Sequence, residues 1–302
     1  MCAVAAIETA CWDIIGKACN QPVYNLMGGL YHRKLRAYAN GWYRGPRTPE
    51  SFAQKAKEVI RRGYTAIKFD PFGNNWRTLP LYEFDLSLDI IRAVRDAVGP
   101  SVDLLIEGHC RFHPSTAIEF ATAMAPLRPM FFEEPVPHTS AAAMAEVARR
   151  SPVPIATGES LSNKQQVAEL MQYNAVHIFQ PEPLNLGGLF VTRMVAGMVD
   201  AYYGMIAPHS AQGPVCSAAC VQLNASLPNF LIHEIFDEFN EPWEKDIVTH
   251  PVEVVDGYIE VPSRPGLGID LNIEEILKHP YRQENHIPLF KQGWERRQSN
   301  TE

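Results

Sequence analysis

The sequence predicts an α/β fold: a (β/α)8 TIM-type barrel followed by a separate, smaller substructure. Three observations carry this. Short apolar runs alternate with stretches of helical periodicity on a beat of about 25 residues, the length a strand, a turn, a helix and a second turn require. Eight such units fit between residues 35 and 246, and eight strand–helix units joined by right-handed crossovers close a barrel. Three of the runs, VDLLIEGHCRF, PMFFEEPVP and PIATGES, carry glutamates at a fixed interval, Glu107, Glu133 and Glu159, where 133 − 107 = 26 and 159 − 133 = 26.

The chain opens on a helix over residues 3–19 (AVAAIETACWDIIGKAC), whose apolar residues recur at helical spacing and which Asn20-Gln21-Pro22 ends. The turn VYNLMGG leads to a first strand at 35–42, LRAYANGW. Thr48-Pro49-Glu50 starts a helix running to about Arg62, with proline in its first turn, and Gly63 stops it. YTAIKFD is the second strand and ends on Lys68 and Asp70. PFGNNWRTLP is longer than a tight βα turn and is therefore a candidate functional loop. A helix at 84–97 is punctuated by Gly99-Pro100. The three glutamate-bearing strands follow, with helices near 114–125, 139–150 and 162–172. AVHIFQ (175–180), MIAPH (205–209) and NFLIHE (229–234) are the sixth, seventh and eighth strands, separated by helices at 188–203 and 212–225. After Glu241 the texture changes: VEVVDGYIEVP (252–262) alternates apolar and polar residues about Asp256-Gly257, a hairpin signal, and a polar tail, helical or loose, runs to Glu302. The expected organisation is an opening helix and linker over 1–34, a barrel over 35–246 and a separate, smaller substructure over 247–302.

Bulk properties narrow the function. An apolar fraction of 46% and a charged fraction of 20% are those of a soluble globular protein. A net charge of −7 argues against a nucleic-acid partner, which wants a basic face. An anionic substrate then needs local cations to offset the global field. No run approaches the roughly 18 apolar residues of a membrane span, and the N-terminus has no basic segment leading into a long apolar core. The six cysteines form no CxxC pair and no framework of a small secreted domain, so reduced thiols and a cytoplasmic location are the expectation.

The equal spacing places Glu107, Glu133 and Glu159 at the C-terminal tips of consecutive parallel strands, the rim where barrel chemistry sits. Three converging carboxylates repel one another unless a cation holds them, and hard oxygen ligands suit Mg²⁺. Glu134 points to the opposite face of the strand from Glu133, so only one of the pair is expected to reach the cation.

The run AIETACWDIIGKACNQPVYNLMGG, the K-x-D of Lys68 and Asp70, E-G-H at 107–109, E-E-P at 133–135, G-E-S at 158–160, Q-P-E-P-L-N-L-G-G at 180–188 and A-P-H-S-x-x-G-P at 207–214 recur in order across nearly the whole chain. Together they resemble the enolase superfamily, mandelate racemase branch, and look closest to its acid-sugar dehydratases of the galactonate and gluconate type. The resemblance implies that Glu107, Glu133 and Glu159 are metal ligands, with Glu107 standing where the family more often has aspartate. It makes His209 the general base, with Glu182 in the place of the aspartate that orients it. His109, two residues past Glu107 and on the same face of an extended strand, resembles the general acid of the galactonate dehydratase group; a substrate hydrogen bond or a packing role is the alternative. Lys68 either adds a second cation beside the substrate's carboxylate or only neutralises the ring of acids. Glu234 matches a position that contacts substrate or its developing oxyanion. Asp70 stands where racemases carry a second lysine, which implies one-sided proton abstraction; with Arg44 it makes up the candidate substrate-binding residues. Trp42-Tyr43 and Arg44 are weaker candidates for binding the distal hydroxyls, a plain surface loop being the preferred reading.

The implied reaction is a Mg²⁺-dependent dehydration of an aldonate or aldarate. The C2 proton leaves to give an enediolate, the 3-hydroxyl is expelled, and the enol ketonises to a 2-keto-3-deoxy acid. A cycloisomerase or epimerase on the same scaffold is a second possibility, and a metal- or sugar-acid-binding remnant without turnover a third. Family members carry an N-terminal α+β cap before the helix that opens this sequence, and the resemblance makes 35–246 the catalytic barrel and 247–302 the remnant of the α+β capping domain, its C-terminal portion. On that reading the barrel mouth is open, the tail lacks its sheet partner, and apolar surface on helix 3–19 and the tail hairpin is exposed unless another subunit covers it. A homo-oligomer acting on a small sugar acid, with no membrane or nucleic-acid partner, is the expected assembly.

Overall fold

The computed structural model describes residues 1–282 and 289–294. In chain order its elements are α1 (Cys2–Ala18), α2 (Val23–Leu26), β1 (Lys34–Ala39), α3 (Pro49–Arg61), β2 (Ala66–Phe69), α4 (Leu81–Val98), β3 (Asp103–Glu107), α5 (Pro114–Met124), β4 (Phe131–Glu133), α6 (Ala141–Arg150), β5 (Ile155–Thr157), α7 (Lys164–Gln172), β6 (Ile178–Phe179), α8 (Pro183–Leu186), α9 (Leu189–Asp200), β7 (Met205–Ile206), α10 (Pro214–Ala225), β8 (His233–Ile235), β9 (Tyr258–Glu260) and α11 (Ile273–Lys278). The helix starts follow from local chemistry. Thr48 accepts a hydrogen bond from Ser51 N with Pro49 in the first turn, and Ser140 and Asn163 cap α6 and α7 in the same way.

β1 to β8 pair in parallel in the order β7-β6-β5-β4-β3-β2-β1-β8. The ring closes where Ile206 of β7 bridges the segment leading into β8: Ile206 N bonds Asn229 O at 2.9 Å and Leu231 N bonds Ile206 O at 2.8 Å. β2, β4 and β5 are buried along their whole length, as parallel strands sandwiched between barrel interior and outer helices must be. One layer of the interior takes a residue from each strand or its flank: Tyr38, Ala66, Leu105, Phe131, Ala156, Ile178, Ala207 and Ile232. Side chains alternate across a strand, so the residues two positions further on also face inward, one layer nearer the C-terminal rim. Those residues are Asn40, Lys68, Glu107, Glu133, Gly158, Gln180, His209 and Glu234. The apolar layer is thus the floor of the site, and the pleat alone selects which side chains stand on it.

Two expectations need correction. Asp256 (φ 50°) and Gly257 (φ 77°) make a two-residue turn across which Val255 and Tyr258 exchange hydrogen bonds of 2.8 and 3.0 Å, but no long hairpin follows. Instead β9 pairs antiparallel with β1, Lys34 opposite Glu260 and Arg36 opposite Tyr258, so the tail has a sheet partner and Ile259 is buried. The apolar residues Val4, Ile7, Ile14 and Ile15 of α1 are exposed, as expected. Of the tail's 247–302 span, residues 283–288 and 295–302 lie outside the described residues.

Candidate active site

Register brings the acids together. Glu107 and Glu133 are direct partners across β3 and β4, and Glu133 faces Ala156 on β5, three residues before Glu159. One oxygen from each of Glu107, Glu133 and Glu159 lies within 4.8 Å of the others. The approach of the strand tips depends on Gly108: a Cβ there would meet Glu134 O at 2.8 Å and Glu133 O at 3.0 Å. Its own N–H bonds Glu133 O at 2.8 Å.

Lys68 stands inside this ring, 1% exposed, with Nζ 2.6 Å from Glu133, 2.8 Å from Glu234 and 3.4 Å from Glu107. It neutralises the acids. Burial opposes its charge, yet Glu133 and Glu234 hold its pKa well above the ordinary value. One lysine does not balance the cluster. Burial, and then the charge of Glu107, push Glu133 well above the carboxylate range despite Lys68. Burial also works against ionised Glu107, but His109 and Lys68 hold its pKa down at about 2. Glu234 is likewise held at about 2, Lys68 and His209 outweighing burial. The trio is therefore short of positive charge, and its donors are all carboxylate oxygens. Both features fit a divalent cation shared among Glu107, Glu133 and Glu159.

An imidazole flanks the trio at each end. His209 Nδ1 lies 2.8 Å from Glu182 Oε2, while its Nε2 lies 3.4 Å from Glu159 and 3.9 Å from Glu234. Glu182 is fully buried, and its other oxygen accepts from Leu184 N at 3.1 Å, capping α8 and fixing the carboxylate. Burial disfavours the imidazolium, but Glu159, Glu234 and Glu182 together raise the pKa of His209 well above 6.5. At the other end, His109 N donates to Glu107 Oε1 at 2.6 Å and its ring Nδ1 lies 2.6 Å from Asp70 Oδ2. Here too burial is outweighed, by Glu107 and Asp70, and the pKa is raised. His109 does not stand on extended strand, as the two-residue spacing suggested. β3 ends at Glu107, and His109 (φ 47°) and Cys110 (φ 59°) are both left-handed, so a tight turn folds the ring back beside Glu107.

Asp70, expected at the substrate, is fully buried, with Oδ1 accepting from Phe72 N at 2.8 Å and Oδ2 held by His109 and Arg111, an arrangement that fixes the His109 ring. Arg44 is half-buried and reaches Asn240 and Glu241 at 3.4 Å, while Trp42 turns inward and donates to Lys68 O at 2.8 Å. Glu234 is fully engaged: Oε1 takes Lys68 and Asn40 (2.9 Å), and Oε2 accepts from Ser210 N at 2.9 Å.

Four contributors were not singled out from the sequence. Gln180 donates to Glu133 Oε2 at 2.7 Å, and Asn40 to Glu234. Arg111, fully buried, ties the left-handed turn to Gly108 O (2.9 Å), Gly73 O (2.7 Å) and Asp70. Trp294 packs edge-on against the His109 ring at 5.8 Å and donates to Gly73 O at 3.0 Å. The inward alternation of each strand could have found the first two; nothing local in the sequence points to Trp294.

Residues 51–276 match the enolase C-terminal domain-like family, and residues 1–28 match the mandelate racemase / muconate lactonizing enzyme N-terminal domain. The chain belongs to the mandelate racemase branch of the enolase superfamily. A D-gluconate dehydratase of Thermoproteus tenax is 37% identical over 287 residues, covering 95% of this chain but 58% of the relative. A D-gluconate/D-galactonate dehydratase of Picrophilus torridus is 38% identical over 267 residues, 88% of this chain and 68% of the relative. The chain thus spans between half and three quarters of the length of these relatives. Among solved structures, a mandelate racemase/muconate lactonizing enzyme from Sulfitobacter superposes with a TM-score of 0.88 at 36% identity, covering 93% of this chain and 73% of that one. Members of the superfamily use a divalent metal, which accords with the carboxylate trio of this chain.

Proposed function

We propose that this barrel is the catalytic part of a Mg²⁺-dependent hydro-lyase that dehydrates a sugar acid to a 2-keto-3-deoxy acid. The observation that carries the reading is the pair of oriented imidazoles at opposite ends of one carboxylate trio, His209 by Glu159 and His109 by Glu107. Glu107, Glu133 and Glu159 would hold the ion. Bound there, it would offset the substrate's carboxylate charge as the C2 proton leaves and relieve His209 of the negative field that keeps it protonated.

The protein's own residues divide the rest of the work. Glu182 accepts a hydrogen bond from Nδ1–H of His209, which leaves Nε2 as the atom that accepts the C2 proton. Asp70 holds Nδ1 of His109, so Nε2 is the atom that delivers a proton to the departing 3-hydroxyl. Lys68 keeps Glu133 and Glu234 in place beneath the substrate. Asp70 is bonded to His109, Arg111 and Phe72 N, so no base stands on β2 for the opposite face, and dehydration is favoured over epimerisation. The relatives named as gluconate, galactonate and xylonate dehydratases support the same substrate class. The test is incubation of the chain with Mg²⁺ and a panel of aldonates and aldarates, with semicarbazide detection of 2-keto acids. Keto acid from one or a few members is expected. Bound metal with no keto acid from any member would point to a binding protein instead.

A further inference from the structure

Beside the carboxylate trio lies a second cluster of different chemistry. We propose that Cys110, Glu134 and His138 form a cation site, separate from the trio, that takes a zinc-class divalent ion. Their ligand atoms all lie within 4.8 Å of one another. Cys110 Sγ is 2.8 Å from Glu134 Oε2 and 3.9 Å from His138 Nδ1. These distances bracket the spacing of about 3.5 Å between neighbouring ligands of a tetrahedral zinc ion with Zn–S near 2.3 Å and Zn–N near 2.0 Å.

The site is built. Glu134 is fully buried, and its Oε1 is fixed by Thr157 Oγ1 at 2.7 Å and Gly158 N at 3.0 Å. Its Oε2 is thereby aimed at the thiol. The left-handed backbone of Glu134 (φ 41°) follows directly on β4, so adjacent glutamates serve different sites: Glu133 faces the trio, Glu134 the thiol. Cys110 is held in its own left-handed conformation (φ 59°) by a bond from its N–H to Glu134 O at 2.7 Å. Such a conformation is unfavourable for a non-glycine residue and persists where the surroundings over-determine it. Cys110 and His138 are half-buried, which leaves an approach for the ion and room for water as a fourth ligand.

Softness separates the two sites. The trio offers only carboxylate oxygen, the chemistry of Mg²⁺, whereas thiolate with imidazole selects Zn²⁺ and its neighbours. On binding, the ion replaces the thiol proton that now bridges Cys110 Sγ and Glu134 Oε2, and that proton passes to solvent.

Co²⁺ reports such a site directly, because a thiolate ligand gives a near-ultraviolet sulfur-to-cobalt charge-transfer band. With Mg²⁺ in excess to occupy the trio, titration of the whole chain with Co²⁺ is expected to produce this band at one equivalent, and Zn²⁺ to abolish it. Cys110→Ser should remove the band, and His138→Gln should weaken Co²⁺ binding at least tenfold while the far-ultraviolet circular dichroism stays that of the parent chain. Absence of the band in the parent chain, its survival in Cys110→Ser, or unchanged affinity in His138→Gln would each overturn the proposal.

Discussion

Glu182 Oε2 lies 2.8 Å from His209 Nδ1, so the longer side chain in this position reaches the imidazole it has to orient. The extra methylene is accommodated because the carboxylate's other oxygen caps α8 at Leu184 N. Glu182→Gln keeps the shape and removes the charge that fixes the tautomer. Turnover of the sugar acid should fall by about 10²–10⁴-fold, the range of a general acid–base contribution, with little change in KM. Steady-state kinetics checks this, and undiminished kcat would show that Glu182 only caps the helix.

His109 and His209 have separable tasks. If His109 delivers the proton to the leaving hydroxyl, His109→Gln should stop formation of keto acid while His209 still exchanges the C2 hydrogen. In D₂O, NMR of the substrate would show loss of the C2–H signal without product. Keto acid forming at the parent rate would remove His109 from the chemistry.

Lys68 is buried against three carboxylates. Removing one partner of a buried ionic group leaves uncompensated charge and costs about 3–5 kcal/mol. Lys68→Met should therefore lower stability to urea by about that amount without divalent ions. It should also gain more from Mg²⁺ than the parent chain does, because the ion then supplies the missing charge. Equal stability of variant and parent would contradict the role given to Lys68.

A pH effect comes from the outer face of β8. His233 is fully buried, accepts from Asn224 Nδ2 at 2.9 Å, and burial pulls its pKa down from 6.5 to about 4 despite the nearby charge of Glu234. The folded pKa lies below the unfolded one. Stability from this residue is thus present above pH of about 6.5 and is lost as pH falls toward about 4, by roughly 3 kcal/mol in all. Urea unfolding of the parent chain and His233→Asn across pH 7 to 4 isolates the effect: the difference between them should shrink or reverse on acidification. A constant difference would show that His233 is not buried neutral.

Much of the fold was legible because each strand–helix unit is punctuated locally, as at Thr48-Pro49 and Gly99-Pro100. The trio was legible because equal spacing of Glu107, Glu133 and Glu159 translates directly into neighbouring strand tips. What escaped was non-local. β9 pairs with a strand more than 200 residues earlier, so the alternation of 252–262 read as a hairpin closed on itself. The ring of His109 meets Glu107 through two left-handed residues, neither of them glycine, which no residue-type pattern announces. The contacts of Asp70 with His109 and Arg111 escaped because both partners come from the turn after a different strand.

One divalent ion between two imidazoles is the centre of the proposed chemistry. Anomalous diffraction from crystals of the chain soaked in Mn²⁺, a stand-in for Mg²⁺ in an all-oxygen site, tests it most directly. A strong peak coordinated by Glu107, Glu133 and Glu159, with His209 Nε2 turned toward it, is predicted, with or without a second peak at Cys110, Glu134 and His138. No peak at the three carboxylates under saturating Mn²⁺ would contradict it.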